Sequence, residues 1–290
     1  MAHQERKKIM KTWKKIVLGV SLLSLFLGGG LVAWGYSQGG LTDLQNQTKS
    51  EQDYVKKEVN DFNKIDIKSS SYNVLIKNGD VDKATLSYYQ KTKNPIDTSV
   101  KDGQLTINDN NSELDSTSNK HINFFGLKDL VRLSTLNKEV RNKTIVITLP
   151  KKQTIDFLKV DLATGNLDLS NSTIKQADIN LNVGDLTFTK MIVSNLKANL
   201  DVGSVDSDHT LFTNSDLSIA MGDYSGDNLI FNGHNKLDVT SGDIEIALKD
   251  YTLNVQADSH SGEVYITNNL KISKDNTLTI TSDLGDITVE

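Results

Sequence analysis

Hydrophobic and polar residues alternate at period two over most of the chain beyond residue 58, in short runs such as FNKIDIK, YNVLIK and QLTIN. Successive side chains of a β-strand point to opposite faces, so this pattern is typical of strands with one buried face. Asn78-Gly79 and Asp102-Gly103 lie between such runs and favour the positive φ of tight turns. The pattern predicts an opening group of β-strands that is not in register with the repeats that follow.

A glycine followed by a small polar or acidic residue recurs from residue 165 onward, at intervals of 19, 19, 19, 20, 20 and 23 residues. A period of about 20 residues is typical of stacked repeats. We expect an all-β fold, a β-solenoid of β-helix or β-roll type, in which each glycine allows a sharp bend with positive φ or close backbone contact. The corner glycines are Gly165, Gly184, Gly203, Gly222, Gly242, Gly262 and Gly285.

The same alternation predicts the side chains that fill the interior of the coils. One coil alone buries too few apolar side chains to offset the entropy of ordering its residues, so the coils have to stack and share a core. The predicted inward residues are Val160, Leu162, Leu167, Leu169, Ile179, Leu181, Leu186, Phe188, Leu217, Ile219, Leu237, Val239, Ile244, Ile246, Leu253, Val255, Val264, Ile266, Leu278, Ile280, Ile287 and Val289.

The N-terminal 36 residues differ in character from the rest of the chain. Residues 1–15 are basic, and residues 16–36 are apolar and uncharged. At a rise of 1.5 Å per residue, that stretch spans roughly the 30 Å of a bilayer core. It predicts a single-pass transmembrane helix with a cytoplasmic N-terminus and an extracellular C-terminal domain. A cleaved signal peptide is the alternative, although no A-x-A pattern follows the stretch.

The remaining residues divide into a polar juxtamembrane spacer, 37–58, and a β-repeat domain, 59–290. Because residues 1–15 hold six Lys and Arg against one Glu, residues 37–290 carry 26 basic and 36 acidic side chains. This acidic balance disfavours nucleic acid as a partner, since binding it requires basic side chains at the phosphates. The chain contains no cysteine, which excludes disulfides, thiolate metal sites and a cysteine nucleophile.

An insertion at 108–143 interrupts the β pattern. It begins as a polar loop and continues with apolar residues at helical spacing, which predicts a short amphipathic helix. The interpretation as a cap over one end of the solenoid competes with that of an exposed contact for a partner or the membrane. The candidate contact residues are Phe124, Phe125, Leu127 and Leu130.

The strand that ends at Leu149-Pro150, followed by turns such as Ser241-Gly242-Asp243-Ile244, resembles a family of bacterial membrane-anchored β-strand repeat proteins. The family is labelled "putative adhesin" or domain of unknown function, and it includes LiaG-like proteins related to the surface domain of LiaX. The resemblance covers about residues 60–290. It implies a repeat fold and a role in the cell envelope, accessory to stress signalling in Gram-positive bacteria, and it carries over no catalytic residue.

Metal binding and catalysis are the two kinds of chemistry to consider. Stacked corner carboxylates are candidates for a calcium column, but turn chemistry alone explains them, and we expect no cofactor. These carboxylates are Asp185, Asp223, Asp243, Glu263 and Asp286. Other acidic residues are plentiful, yet no pair stands beside a basic partner, and the five histidines lack metal-ligand spacing.

The sequence therefore predicts a non-catalytic envelope protein whose solenoid binds a membrane or envelope partner. A surface adhesin is the alternative, and a polysaccharide-acting β-helix enzyme is a more distant one. The last strand, Asp286–Glu290, ends without an obvious cap, so we expect its edge to pair with a second copy or with a partner strand.

Overall fold

In the computed structural model of the chain, residues 52–91, 95–109 and 143–290 are described. These ranges are all-β and contain no helix. The strands are β1 Gln52–Glu58, β2 Lys64–Ser69, β3 Asn73–Gly79, β4 Thr85–Lys91, β5 Asp97–Lys101, β6 Gln104–Asn108, β7 Thr144–Pro150, β8 Thr154–Ile155, β9 Phe157–Leu162, β10 Leu167–Ser170, β11 Thr173–Ile174, β12 Ala177–Val183, β13 Leu186–Thr189, β14 Ile192–Ser194, β15 Leu196–Val202, β16 Val205–Asp208, β17 Leu211–Thr213, β18 Asp216–Met221, β19 Tyr224–Asn232, β20 His234–Ser241, β21 Ile244–Leu248, β22 Asn254–Ser261, β23 Val264–Ile266, β24 Thr277–Leu284 and β25 Ile287–Val289.

Two long sheets, mostly of parallel strands, contain all these strands. The ten-stranded sheet has the order β22-β24-β20-β18-β15-β12-β9-β2-β6-β5. The fifteen-stranded sheet has the order β1-β4-β7-β3-β10-β13-β16-β19-β17-β14-β11-β8. A branch leaves this order at β19, which also pairs with β21; β21 then pairs with β25, and β25 with β23. Strands pair in parallel with the strand one repeat later: Leu167 lies opposite Leu186, and Leu186 opposite Val205. This is the register that the repeat predicts for a β-solenoid.

Each repeat forms one coil with up to three strands, one from the ten-stranded sheet and two from the other. The corner glycine separates the first two strands, as Gly184 does between β12 and β13. The second and third strands merge in β19, which pairs with β16 near its start and with β17 near its end. The coil has further corners where non-glycine residues adopt positive φ, among them Asn171, Lys190, His209 and Asn228.

The interior of the coils is a continuous apolar core. Of the predicted inward residues, all are buried except Val255, Val264 and Ile266. Aromatic rings stack along one side: the ring of Phe212 lies 5.2 Å from that of Phe188 and 5.8 Å from that of Phe231. The coil prediction is therefore confirmed for the core, and the three exceptions all lie on β22 and β23.

The first coil begins earlier than the glycine pattern indicates. Strands β2 and β3 pair in register with β9 and β10, and Tyr72-Asn73 occupies the place of the later glycine corner. Strands β2, β3 and β6 are thus in parallel register with the repeats, contrary to the prediction, whereas β4 and β5 pair antiparallel and stay outside that register. In addition, β1 pairs with β4, so the β-domain includes residues that the sequence assigned to the spacer.

Antiparallel strands close the N-terminal end of the stack. Strand β4 pairs with β7, and β5 with β6, in antiparallel register. Asp102 and Gly103 make the β5–β6 turn with φ of 50° and 73°, which confirms that turn. The turn predicted at Asn78-Gly79 is wrong, because both residues continue β3 and lie opposite Leu149 and Pro150 of β7.

The C-terminal end departs from sequence order. Strand β24 lies between β20 and β22, and β25 pairs with both β21 and β23. The prediction of an open edge at Asp286–Glu290 is therefore wrong. The reason is the apolar content of the strands: β24 turns Leu278 and Ile280 inward, whereas β22 offers the smaller Val255 and Ala257 at those positions. The coil that contains β22 has the less apolar side chains, and it lies at the end of the stack, where a neighbouring coil covers only one of its sides.

The predicted transmembrane segment, 16–36, lies outside the described residues, as do nearly all of the insertion and its contact residues Phe124, Phe125, Leu127 and Leu130. Within the described part of the chain, no helix is long and apolar enough to cross a membrane.

Candidate functional site

Side chains at the glycine corner link each coil to the next. The residue after the glycine accepts a hydrogen bond from the backbone N–H at the same position one coil further on. The acceptor–donor pairs are Asn73–Asn166 at 2.9 Å, Asn166–Asp185 at 3.0 Å, Asp185–Ser204 at 3.0 Å, Ser204–Asp223 at 3.3 Å, Asp223–Asp243 at 2.9 Å, Asp243–Asp286 at 2.9 Å and Asp286–Glu263 at 2.8 Å. Asn, Asp and Ser all serve here because each places an oxygen within reach of that N–H.

This ladder accounts for the residues proposed as a calcium column. In Asp185, Asp223, Asp243 and Asp286, one carboxylate oxygen already accepts a backbone N–H. Glu263 stands in the last coil of the stack. Across the described residues, no three of these five carboxylates bring their oxygens within 4.8 Å of one another. The arrangement favours a structural role for the column.

A different cluster has the spacing of a metal site. Ligand atoms of Asp208, His209 and Asp227 all lie within 4.8 Å of one another, the one such group in the described chain. Nδ1 of His209 is 2.6 Å from Oδ1 of Asp208, and Asp227 lies opposite Asp208 in the next coil. This cluster was not predicted from the sequence, because Asp227 comes 18 residues after His209 and only the coil register brings them together.

Asp168 is the most deeply buried carboxylate among the described residues, ahead of Asp109. It lies in β10 between Leu167 and Leu169 and is 3% exposed, and neither carboxylate oxygen has a hydrogen-bond partner among the described residues. Burial raises the pKa of Asp168 to about 7; the neighbouring Thr187 hydroxyl opposes the rise, and the charge of Asp185 adds to it. A carboxyl group so far from solvent has no access to a polysaccharide, so it is not a candidate catalytic acid.

One concavity on the described chain has a volume of about 170 Å³ and is lined by Lys190, Met191, Ile192, His209, Thr210, Leu211, Asn228, Ile230 and Lys249. Pockets for small molecules usually hold roughly 300 Å³ or more. This concavity favours contact with an extended surface over enclosure of a substrate.

The end of the described stack that β22 and β23 form exposes apolar side chains. We call β22 and β23 together the end coil. Its inward positions are only partly covered: Val264 is 42% exposed, and Val255 and Ile266 are half-buried. Tyr265 on the outer face is 59% exposed. The end coil therefore presents strand edges and apolar side chains together.

Stacked parallel coils with an exposed end define a β-repeat protein of the solenoid kind. The chain belongs to the Toastrack DUF4097 family, whose model matches residues 62–290. This confirms the resemblance at the level of the repeat family. No curated protein matches the chain in sequence.

Several solved structures resemble the fold at low sequence identity. A "putative cell adhesion protein" from Clostridium sporogenes is 18% identical, with 82% of this chain and 99% of that chain covered and a TM-score of 0.38. A "putative adhesin" from Bacteroides fragilis is 15% identical, with 83% and 98% covered and a TM-score of 0.48. A "putative lipid binding protein" from Parabacteroides distasonis is 12% identical, with 82% and 97% covered and a TM-score of 0.38.

Proposed function

We propose that the protein is a non-catalytic cell-envelope protein that binds a protein partner through its end coil. The apolar segment 16–36 anchors it in the membrane, and the β-domain lies outside the cell. The observation that carries the proposal is the edge of β22 and β23, which no described residue covers and where the inward Val264 is 42% exposed.

The other strand edges of the described β-domain carry features that discourage pairing. Strand β1 exposes Lys56 and Lys57, β5 is short and exposes Lys101, and β8 has two residues. Lysines and short strands are common protections of a sheet edge. The end coil, with the sequences NVQADSHS and VYI, has no lysine and no proline. Within the end coil, β22 is thus the edge most suited to adding a strand, because it is eight residues long whereas β23 has only three.

The chemistry of the end coil defines the partner. An added strand gains main-chain hydrogen bonds from the edge, and its alternate side chains extend the apolar interior over Val255, Val264 and Ile266. Asp258 and Glu263 are exposed at this end, so a neutral or basic segment fits better than an acidic one. The partner we propose is an extended segment of an envelope protein with alternating apolar residues.

The dimensions of the domain favour a partner close to the membrane. Eight coils at about 4.8 Å each give a stack roughly 40 Å long, and few residues separate it from segment 16–36. An accessory role in envelope-stress signalling, as in LiaG-like proteins, is the narrower form of this proposal. It rests on the family resemblance of the sequence.

A photo-crosslinking residue placed at Tyr265 of the full chain tests the proposal in living cells. We expect a specific adduct with one envelope protein. The matched control is the same residue at Glu245, which is exposed in the same column of side chains two coils inside the stack. It should give no adduct with that protein.

Three other outcomes would redirect the proposal or end it. A dimer adduct of the chain with itself at Tyr265 would identify a second copy as the occupant. Removal of the β-domain from intact cells by added protease, with the wall in place, would favour the adhesin alternative. Equal labelling from Tyr265 and Glu245 would show that the end coil is not a binding edge.

A further inference from the structure

We propose that Asp208, His209 and Asp227 form a binding site for a late first-row divalent cation such as Zn²⁺. The three side chains offer one imidazole nitrogen and two carboxylate groups, a ligand set that suits zinc and its neighbours. Their ligand atoms already lie within 4.8 Å of one another.

The backbone brings the three residues together and fixes their spacing. Asp208 and Asp227 are register partners on neighbouring coils. The backbone N–H of His209 donates to the carbonyl oxygen of Asp227 at 2.9 Å, which ties the two corners to each other. His209 itself adopts a left-handed conformation with φ of 49°. Because the backbone is already in place, a cation only has to select the side-chain torsions of Asp208, His209 and Asp227.

The charge pattern of the rest of the solenoid shows that this pair of carboxylates is unusual. On the outer face of the ten-stranded sheet, charges alternate from coil to coil along the register column Asp66, Lys159, Asp178, Lys197, Asp216 and Lys236. Asp208 and Asp227 instead stack directly, and no described Lys or Arg forms an ion pair with either. Among the described residues, the one neutral donor to this pair of carboxylates besides His209 is the side-chain amide of Asn228, whose Nδ2 lies 2.7 Å from Oδ2 of Asp227. The glycine-corner aspartates Asp185, Asp223, Asp243 and Asp286 also stack, but each accepts a backbone N–H from the next coil. A cation would supply the positive charge that the column lacks.

The required movement is small. Zinc ligands lie about 2.0–2.1 Å from the metal, so tetrahedral neighbours are roughly 3.3 Å apart. Nδ1 of His209 and Oδ1 of Asp208 are now 2.6 Å apart, so these two atoms need only separate slightly when both bind the cation. The carboxylate of Asp227 closes from the neighbouring coil. The side chains of His209 and Asp208 are 48% and 46% exposed, so they have room to adjust.

Zinc titration of the full chain, purified without a polyhistidine tag, tests the site. Asn is the matched replacement for His209, because Asn171 and Asn228 occupy the same corner with similar φ. We expect one zinc ion per chain. H209N and D227N should each weaken its binding at least about tenfold, or about 1.4 kcal/mol, and His260→Ala in the end coil should not. Cobalt should give visible absorption bands that H209N abolishes.

Thermal melting in metal-free buffer establishes that the variants fold, and added zinc should raise the melting temperature of the natural chain more than that of H209N. Unchanged affinity in H209N and D227N would overturn the proposal. So would a loss of equal size in His260→Ala, or the absence of any heat of binding at millimolar zinc. In those cases the Asp208–His209 contact is an ordinary surface hydrogen bond.

Discussion

Single residues in this protein affect stability chiefly through their contacts with the neighbouring coil. Gly203 shows this: its φ is +147°, and a Cβ built on it would lie 2.0 Å from the carbonyl oxygen of Gly184. A side chain at that position would therefore strain the backbone and clash with the carbonyl group of Gly184. The same geometry recurs at the corners of the stack, which is why the glycines were visible in the sequence as a period.

Gly203→Ala should lower the free energy of unfolding by roughly 3 kcal/mol or more, since interior coils are held on both sides and have little freedom to yield. Gly262→Ala is the matched control. Its Cβ would also approach a carbonyl oxygen, that of Gly285 at 2.1 Å, but it lies in the end coil and lacks the positive φ. Denaturant unfolding compares the two. Equal losses, or a stable G203A, would contradict the tight corner.

Asp168 makes a prediction about pH at the same scale. Its pKa is raised by burial to about 7, from an ordinary value of 3.8. Between pH 4 and 7 the unfolded chain loses this proton while the folded chain keeps it, so the contribution of Asp168 to stability falls as pH rises. Above pH 7 the loss is complete.

Asp168→Asn should therefore raise the melting temperature at pH 8 and leave it nearly unchanged at pH 4. Asp201→Asn, at an exposed position of β15, should show no such dependence. Melting curves across this pH range measure the difference. A D168N variant that is no more stable than the natural chain at pH 8 would show that the carboxyl group is already ionised at little cost.

At the scale of elements, the coils are joined by two devices, the shared apolar core and the ladder of corner side chains. The core accommodates large rings by pairing them with small neighbours: the column that contains Phe188 continues with Ser207 and Gly226. A Cβ on Gly226 would lie 2.4 Å from Cδ1 of Leu229. Shape complementarity of this kind comes from the stacking of whole coils.

The corner ladder predicts a difference between interior and terminal acceptors. Asp223→Ala removes the acceptor of the Asp243 N–H and should destabilise the chain by about 1 kcal/mol. Glu263→Ala should have a smaller effect, because the end coil has no later coil to bind. Chemical denaturation of both variants checks this expectation. A larger loss in E263A than in D223A would contradict the order of the coils.

The sequence predicted the features that recur in every coil, and it did not predict features that occur only once in the stack. The glycine corners and most inward residues follow from the period, because each coil makes the same demand on its residues. Tyr72-Asn73 was missed as the first corner because the first coil lacks the glycine. The order of β22 and β24 was missed because both strands fit the pattern, and only the comparison of their apolar content decides which one lies inside. The Asp208–His209–Asp227 cluster depends on that three-dimensional register as well.

At the scale of the whole molecule, the functional proposal depends on which coil lies at the end of the stack. If the coils followed the order of the sequence, β25 would form the edge and the end coil would be buried. The structure gives the opposite result, with Thr288 of β25 between Glu245 of β21 and Tyr265 of β23. This arrangement leaves two strands without lysine or proline facing outward.

Engineered disulfides in the cysteine-free chain measure this order directly. Register partners in neighbouring coils are about 4.8 Å apart, within the Cα range of a disulfide, whereas residues two coils apart are about 10 Å apart and too distant. The account predicts that E245C pairs with T288C and that E245C does not pair with Y265C. A disulfide between E245C and Y265C, with none between E245C and T288C, would contradict it.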